Sequence, residues 1–135
     1  MKMLLQALPI KNVDNGDGSS ILMVANGAAK AGVTTAHNLI EVTTTGAEID
    51  CTNYNAILVE TNITVAAKNW TIKVQGCLTT GGTFVDLYDA TTLMSYQTNS
   101  SKLVLWKGIP NFIKIVATED EDGGKCTVRV QPLTI

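Results

Sequence analysis

The chain contains one histidine, His37, and histidine is the side chain that most often serves as a catalytic base. Serine and cysteine nucleophiles need such a base within hydrogen-bonding distance. His37 lies in the polar run TTAHN at residues 34–38, and polar runs of this kind are typical of loops. We therefore interpret His37 as a solvated loop histidine rather than as a member of a catalytic triad.

Paired carboxylates can perform acid and base chemistry without histidine, as they do in glycosidases. Asp86 and Asp89 are separated by an odd number of positions, so on a regular strand they face opposite sides of a sheet and cannot act together. Asp120 and Asp122 lie in an acidic segment predicted to be an exposed turn, where no low-dielectric pocket would tune them. We therefore predict that the chain is not an enzyme. A hydrolase is kept as an alternative that ranks behind the two non-catalytic functions given below.

Metal and nucleotide sites find little support in the residue pattern. The three cysteines, Cys51, Cys77 and Cys126, are widely spaced with no Cys-x-x-Cys pair, which argues against zinc. Residues 14–18 (DNGDG) and 119–122 (EDED) cluster oxygen ligands but lack the spacing of an EF-hand, and we interpret both as turns. A metal at the acidic 119–122 segment remains the alternative. No phosphate-binding loop occurs, so we predict no cofactor.

Composition narrows the class of protein. The chain has 135 residues, of which 45% are hydrophobic and 16% charged, with a formal net charge of -2. These values predict one globular domain without a membrane-spanning helix. A slightly acidic chain offers no positive field to attract phosphate backbones, so we expect neither nucleic acid nor membrane as a partner.

The charged fraction is well below the roughly 25% typical of soluble domains. Protein interfaces are depleted in charged residues, so part of the surface is predicted to be covered by a partner protein. The alternative is that Thr and Asn side chains hydrate exposed strand faces, where Thr has good β-propensity.

Alternation of apolar and polar residues is the recurring local signal. It is clearest at residues 70–75 (WTIKVQ), where Trp70 shares the apolar face and is predicted to be buried. Further strands are predicted at residues 20–25, 39–45, 56–63, 83–89, 102–106, 112–117 and 126–131. Strands that follow one another through short turns, with no sustained helical pattern, predict an all-β fold: an antiparallel, jelly-roll-like β-sandwich.

Residues 112–117 and 126–131 are predicted to form a hairpin, because the acidic, glycine-containing segment between them suits a turn. The repeated glycines of residues 1–38 predict an extended amino-terminal arm and loop region, followed by the sandwich domain at residues 39–135. Residues 1–10 are interpreted as part of the structure rather than as a secretion signal, so the three thiols are expected to be free, buried small residues in a reducing cytoplasm.

Four phrases of the sequence resemble small accessory virion proteins of tailed bacteriophages, such as capsid decoration and head-fibre proteins. They are residues 69–76 (NWTIKVQG), 82–89 (GTFVDLYD), 109–118 (IPNFIKIVAT) and 126–132 (CTVRVQP). The resemblance covers roughly residues 55–135. It implies a non-catalytic β-sandwich, often trimeric, that resides in the virion after assembly in the host cytoplasm.

The resemblance and the residue pattern together predict a capsid decoration protein that binds the major capsid protein and other virion proteins as a homotrimer. The apolar residues near the amino terminus are the predicted attachment or trimer segment, because such side chains are unfavourable on a free surface. They are Met3, Leu4, Leu5, Leu8 and Ile10.

The alternative function is a tail, baseplate or head-fibre module that binds host-surface carbohydrate. Such a module needs exposed aromatic rings, and Trp106, Tyr88 and Tyr96 are the candidates. Aromatic residues make up only 5% of the chain, which offers this alternative little material.

Overall fold

Twelve β-strands follow one another in the computed structural model, which describes residues 29–65 and 67–135. In chain order they are β1 (Thr34–Ile40), β2 (Thr44–Thr45), β3 (Ile49–Asp50), β4 (Ala56–Thr64), β5 (Trp70–Cys77), β6 (Val85–Asp86), β7 (Tyr88–Asp89), β8 (Thr92–Leu93), β9 (Ser95–Thr98), β10 (Lys102–Lys107), β11 (Phe112–Glu119) and β12 (Lys125–Leu133).

These strands form two antiparallel sheets. The four-stranded sheet has the order β1-β12-β4-β10, and the six-stranded sheet has the order β2-β11-β5-β6, with β3 also pairing with β11 and β9 with β5. Strands β7 and β8 form a separate two-stranded ladder. The longest strands, β4, β5, β11 and β12, pair in the two sheet centres, where continuous ladders satisfy the most backbone groups.

The core lies between the two sheets. Alternate side chains of β5 are fully buried, beginning with Trp70 and continuing through Ile72 and Val74, as the period of two predicts. Residues of β11, β4 and β12 complete the same cluster, so both sheets contribute to one core. Burying each Ile or Val side chain contributes roughly 1.5–3 kcal/mol. The predicted antiparallel β-sandwich is therefore confirmed, and Trp70 is in the core as predicted.

The predicted hairpin between residues 112–117 and 126–131 is wrong. Strand β11 pairs with β5 in the six-stranded sheet, whereas β12 pairs with β4 and β1 in the other sheet. The connecting residues therefore form an arch on the surface that leads from one sheet to the other. The Asp120 carboxylate ties the arch to the six-stranded sheet, because it accepts hydrogen bonds from Thr71 Oγ1 (2.6 Å) and Gln97 Nε2 (3.0 Å).

Other strand bounds also differ from the prediction. Strand β1 begins at Thr34 and pairs there with Val130, so sheet pairing begins before residue 39. The predicted strand at residues 39–45 contains only the end of β1 and the two residues of β2, and the one at 83–89 is divided into β6 and β7. The predicted strand at residues 20–25 and most of the predicted arm lie outside the described residues.

Candidate functional site

The outer face of the four-stranded sheet has two cross-strand rows at its centre. Pairing of β10 with β4 and of β4 with β12 aligns Leu105, Leu58 and Gln131 in one row. The neighbouring row contains Leu103, Glu60 and Arg129. Directly paired residues lie on the same face of a sheet, so these side chains are neighbours.

Much of this face is apolar and exposed. Leu103 is 65% exposed, Leu105 is 46% exposed and Val33, just before β1, is 59% exposed. Together with half-buried Leu58, Val33 and Leu103 line a shallow depression of about 210 Å³. A grouped set of exposed apolar side chains is a feature of surfaces that bind another protein. We call Val33, Leu58, Leu103 and Leu105 the apolar face.

The charges on this outer face lie beside each other. Arg129 Nη1 is 3.4 Å from Glu60 Oε1, on the two strands next to each other in the sheet centre. Each side chain remains nearly half exposed, and pairs of this kind contribute at most about 1 kcal/mol to stability. The two opposite charges of this pair cancel, so the apolar side chains are the distinguishing feature of the face.

Among the residues that the structure describes, β10 is an edge strand of the four-stranded sheet with no further strand beside it. Its register with β4 is unbroken from Lys102 through Lys107. The opposite edge, β1, contains two irregularities of register, and Leu39 there has a positive φ of 52°. Bulges of this kind hinder pairing with a further strand, whereas a regular edge presents unpaired N–H and C=O groups.

The edges of the six-stranded sheet are divided into short pieces. Strands β2 and β3 share one side, and β6 and β9 share the other. Within the described part of the chain, β10 is therefore the long, regular edge strand available for pairing with another chain.

The outer face of the six-stranded sheet carries a group of charged and amide side chains. Lys73 Nζ is 3.1 Å from Asp86 Oδ1, and Gln75 Nε2 donates to the same carboxylate at 3.1 Å. The hydrogen bonds from Gln75 and Lys73 lower the pKa of the Asp86 carboxyl. This group of paired charges and amides is suited to contact with water.

The aromatic residues considered for sugar binding do not share one surface. The rings of Tyr96 and Trp106 are half-buried and pack against each other, with centroids 5.5 Å apart and planes tilted by 45°. The Tyr96 hydroxyl is hydrogen-bonded to Thr61, which is fully buried. Tyr88 is 55% exposed but lies in the separate β7–β8 ladder. Tyr96 and Trp106 therefore pack against the core rather than form an open platform.

The prediction that His37 is a solvated loop residue is wrong. His37 lies in β1, is 3% exposed, and its Nε2 lies 2.9 Å from the carbonyl oxygen of Ile115 in the other sheet. Burial lowers the pKa of the imidazole, and the hydrogen bond to Ile115 opposes this in part. The neighbouring residues are polar, so the local pattern resembled a loop.

The three cysteines are free thiols, as predicted. Cys51 and Cys126 are fully buried, and burial raises the pKa of Cys51 to about 12 and that of Cys126 to about 11. Cys77 is only half-buried, because it lies at the end of β5 on the outward set of positions, so the prediction that all three thiols are buried is wrong for Cys77. The two buried thiols therefore stay protonated and behave as small apolar groups.

Among residues 29–65 and 67–135, no three His, Cys, Asp or Glu side chains are grouped so that they could hold a metal ion. In the acidic 119–122 segment, Glu121 accepts a hydrogen bond from Asn69 Nδ2 at 3.1 Å, and Asp120 binds Thr71 and Gln97. The segment 14–18 lies outside the described residues, and so do the predicted attachment residues Met3, Leu4, Leu5, Leu8 and Ile10.

Searching the described ranges for a helix long and apolar enough to cross a membrane finds none.

Sequence reasoning did not identify the apolar face. A signal for it was present, since β10 reads KLVLWK and has apolar residues at both alternating sets of positions. In a strand with one face in the core, such a pattern leaves apolar side chains on the other face. Which alternate set faces outwards depends on the pairing of β10 with β4, which the sequence does not reveal.

No protein-family model and no curated protein matches this sequence. Among solved structures, the chain is similar to the SPBc2 prophage-derived protein YomS, with 15% sequence identity and a TM-score of 0.59. The match covers 84% of this chain and 100% of that chain. At this identity the likeness shows that the two proteins share a fold.

Proposed function

We propose that this chain is a structural protein of a tailed-bacteriophage virion and that it serves as a capsid decoration protein. The observation that carries the proposal is the apolar face, a surface suited to being covered by protein, beside the free edge of β10. The resemblance of residues 55–135 to accessory virion proteins supports it. The shared fold with a protein described as prophage-derived is compatible with it.

The proposed role is non-catalytic. Burial of apolar side chains and strand pairing hold the protein to its neighbours, and stable interfaces of this kind cover about 800 Å² on each partner. Each bound copy stabilises the assembled shell over its dissociated parts by mass action. Many copies on one shell therefore raise its resistance to internal pressure.

The proposed partners are the major capsid protein and further copies of this chain, arranged as a homotrimer. Met3, Leu4, Leu5, Leu8 and Ile10 form the proposed attachment or trimer segment. Deleting residues 1–10 tests this assignment, and the segment is rejected if capsid binding and oligomer mass both stay unchanged.

Virions of the phage that encodes this chain provide the direct test of the function. We expect the protein to co-purify with virions, to sediment with heads lacking it when added back, and to raise the temperature at which those heads release DNA. Immunogold labelling should decorate heads. Labelling of tails would favour the carbohydrate-binding alternative, and absence of the protein from purified virions would refute a virion role.

A matched pair of variants sharpens the sedimentation test. Leu103→Lys replaces a leucine of the apolar face, and Leu78→Lys replaces a leucine that is 75% exposed elsewhere on the surface. Both variants should fold, because both side chains are exposed. We expect only Leu103→Lys to associate more weakly with heads. If both variants associate equally well, the apolar face does not contribute to head binding.

A further inference from the structure

We propose that the β10 edge binds residues 3–8 of a second copy of this chain as an added β-strand. The inference rests on the proposed function and names the occupant of the β10 edge. It begins from the two properties of β10 described above, an unbroken edge and exposed leucines on its outer side. Strand addition satisfies the unpaired backbone groups of β10, and the side chains of the added strand contact Leu103 and Leu105 from the side.

Residues 3–8 (MLLQAL) match this edge in length and polarity. The segment has six residues, as β10 has, and carries no charge. As a strand it would present apolar side chains on both faces, with Leu4 and Leu8 on one and Met3 and Leu5 on the other. Strand β10 likewise has Leu103 and Leu105 outside and Trp106 inside. Pro9 then ends the pairing, because proline has no N–H to donate.

The charges at the ends of β10 disfavour pairing with another β10. Lys102 and Lys107 are the first and last residues of the strand. In an antiparallel pair of two β10 strands, each lysine would approach a lysine of the other copy, and opposed like charges are destabilising. Residues 3–8 are uncharged and have a lysine, Lys2, next to one end only, so they meet less of this repulsion than a second β10 would, which favours them as the occupant.

The path of the chain favours a contact between copies over a contact within one. Ala31 N donates to Pro132 O at 2.9 Å, and Thr134 N donates to Ala29 O at 2.8 Å. Followed backwards from β1, the chain therefore runs along β12 towards its carboxyl end and away from the row of Leu103 and Arg129. Residues 29–31 lie beside the end of β12, on the β1 side of the sheet, and β10 is the opposite edge, so a contact within one chain would have to cross the sheet. Residues 9–28 can span up to about 65 Å, which is enough to reach a neighbour.

Such a contact is head-to-tail, since one copy offers its amino-terminal segment and the next offers β10. Contacts of this type close into a ring when the rotation between copies permits. The proposed trimer would close in this way, with each chain donating one strand and accepting one.

Cross-linking between differently tagged chains tests the contact directly. One chain carries Leu5→Cys, the other Leu105→Cys, and both carry Cys77→Ser to remove the half-buried thiol. After the two are mixed, a short bis-maleimide should join chain to chain. Leu78→Cys, on an exposed site away from β10, replaces Leu105→Cys in the control and should give little product.

Light scattering measures the assembly itself. We expect the unmodified protein to have about three times the 14.4 kDa mass of one chain. Leu103→Gln combined with Leu105→Gln should lower the mass about threefold, and Leu4→Gln combined with Leu5→Gln should do the same. Leu78→Gln should leave it unchanged. Circular dichroism of each variant checks that the sandwich remains folded.

The results separate the two proposals. The contact is overturned if the unmodified protein is a monomer, if the β10 variants keep its mass, or if the mixed chains give no more cross-linked product than the Leu78→Cys control. A monomer that still sediments with heads would overturn the contact between copies and leave the decoration role supported. A trimer that depends on Leu103 but is absent from virions would support the contact between copies and refute the decoration role.

Discussion

The Nε2 atom of His37 lies 2.9 Å from the carbonyl oxygen of Ile115, and this contact joins the two sheets of the sandwich. A carbonyl only accepts, so the imidazole donates. The same oxygen accepts a hydrogen bond from Gly46 N at 2.8 Å. Ile115 lies between the residues of β11 that pair with β2 and those that pair with β3. The two donors therefore satisfy a carbonyl oxygen that neither short strand pairs with.

Stability should depend on pH through His37. Burial lowers its pKa in the folded protein below the ordinary 6.5. Below pH 6.5 the unfolded chain therefore binds a proton that the folded chain does not, and the free energy of unfolding falls as the pH falls through the folded-state pKa. Urea denaturation at about pH 7.5 and about pH 5.5 measures the change.

The control for this dependence is His37→Gln, which keeps an N–H donor and does not titrate. Its unfolding free energy should change less between the two pH values than that of the unmodified protein. His37→Ala should cost about 0.5–1.5 kcal/mol at neutral pH because the Ile115 carbonyl loses one of its two donors and keeps Gly46 N. Equal pH dependence in His37→Gln and in the unmodified protein would exclude His37 as the cause.

A methyl group at Gly76 should destabilise the fold. A Cβ atom there would lie 2.5 Å from Pro110 Cγ and 2.8 Å from Leu87 Cδ2, both closer than van der Waals contact allows. Gly76→Ala is therefore expected to lower the free energy of unfolding by about 1–3 kcal/mol.

Gly32→Ala is the matched control, because nothing lies within 4 Å of the added Cβ. Its free energy of unfolding should be unchanged or raised by up to about 1 kcal/mol, since alanine restricts the unfolded chain. Thermal or urea unfolding compares the two variants. Similar stabilities for both would contradict the packing argument.

The hydrogen bond between Thr61 and Tyr96 should show energetic coupling. Burial raises the pKa of Tyr96 to about 12, so its hydroxyl is protonated at neutral pH. Tyr96→Phe leaves the buried Thr61 hydroxyl without this partner and should cost about 1–3 kcal/mol.

Adding Thr61→Val to Tyr96→Phe removes the unpaired hydroxyl. The double variant should therefore lose less stability than the two single losses combined, with a coupling of about 0.5–3 kcal/mol. A double-mutant cycle by urea unfolding measures it. Strict additivity would show that the two hydroxyls contribute independently.

Thiol labelling should distinguish the cysteines. Cys51 and Cys126 are fully buried and kept protonated by their raised pKa, while Cys77 is half-buried. We expect one thiol per chain to react with Ellman's reagent in the folded protein and three after unfolding. Cys77→Ser should abolish labelling of the folded protein, and fast labelling that persists in this variant would show that the core opens readily.

Local patterning alone determined much of the sandwich. In β5 the apolar residues alternate, so Trp70, Ile72 and Val74 must share a face, and that face becomes the core. The same argument holds for the inner residues of β12. This information is contained in neighbouring positions, because successive side chains of an extended backbone point to opposite sides.

Only the tertiary structure decided which strands pair. A hairpin and an arch both join two strands with apolar faces, so the residues between β11 and β12 did not distinguish them. Similarly, His37 is buried because β1 pairs with β12 and faces Ile115, a contact 78 residues away along the chain. Leu103 points outwards because it pairs with Glu60 of β4, whose side chain is on the outer face. These features depend on contacts between distant segments, which short-range periodicity does not encode.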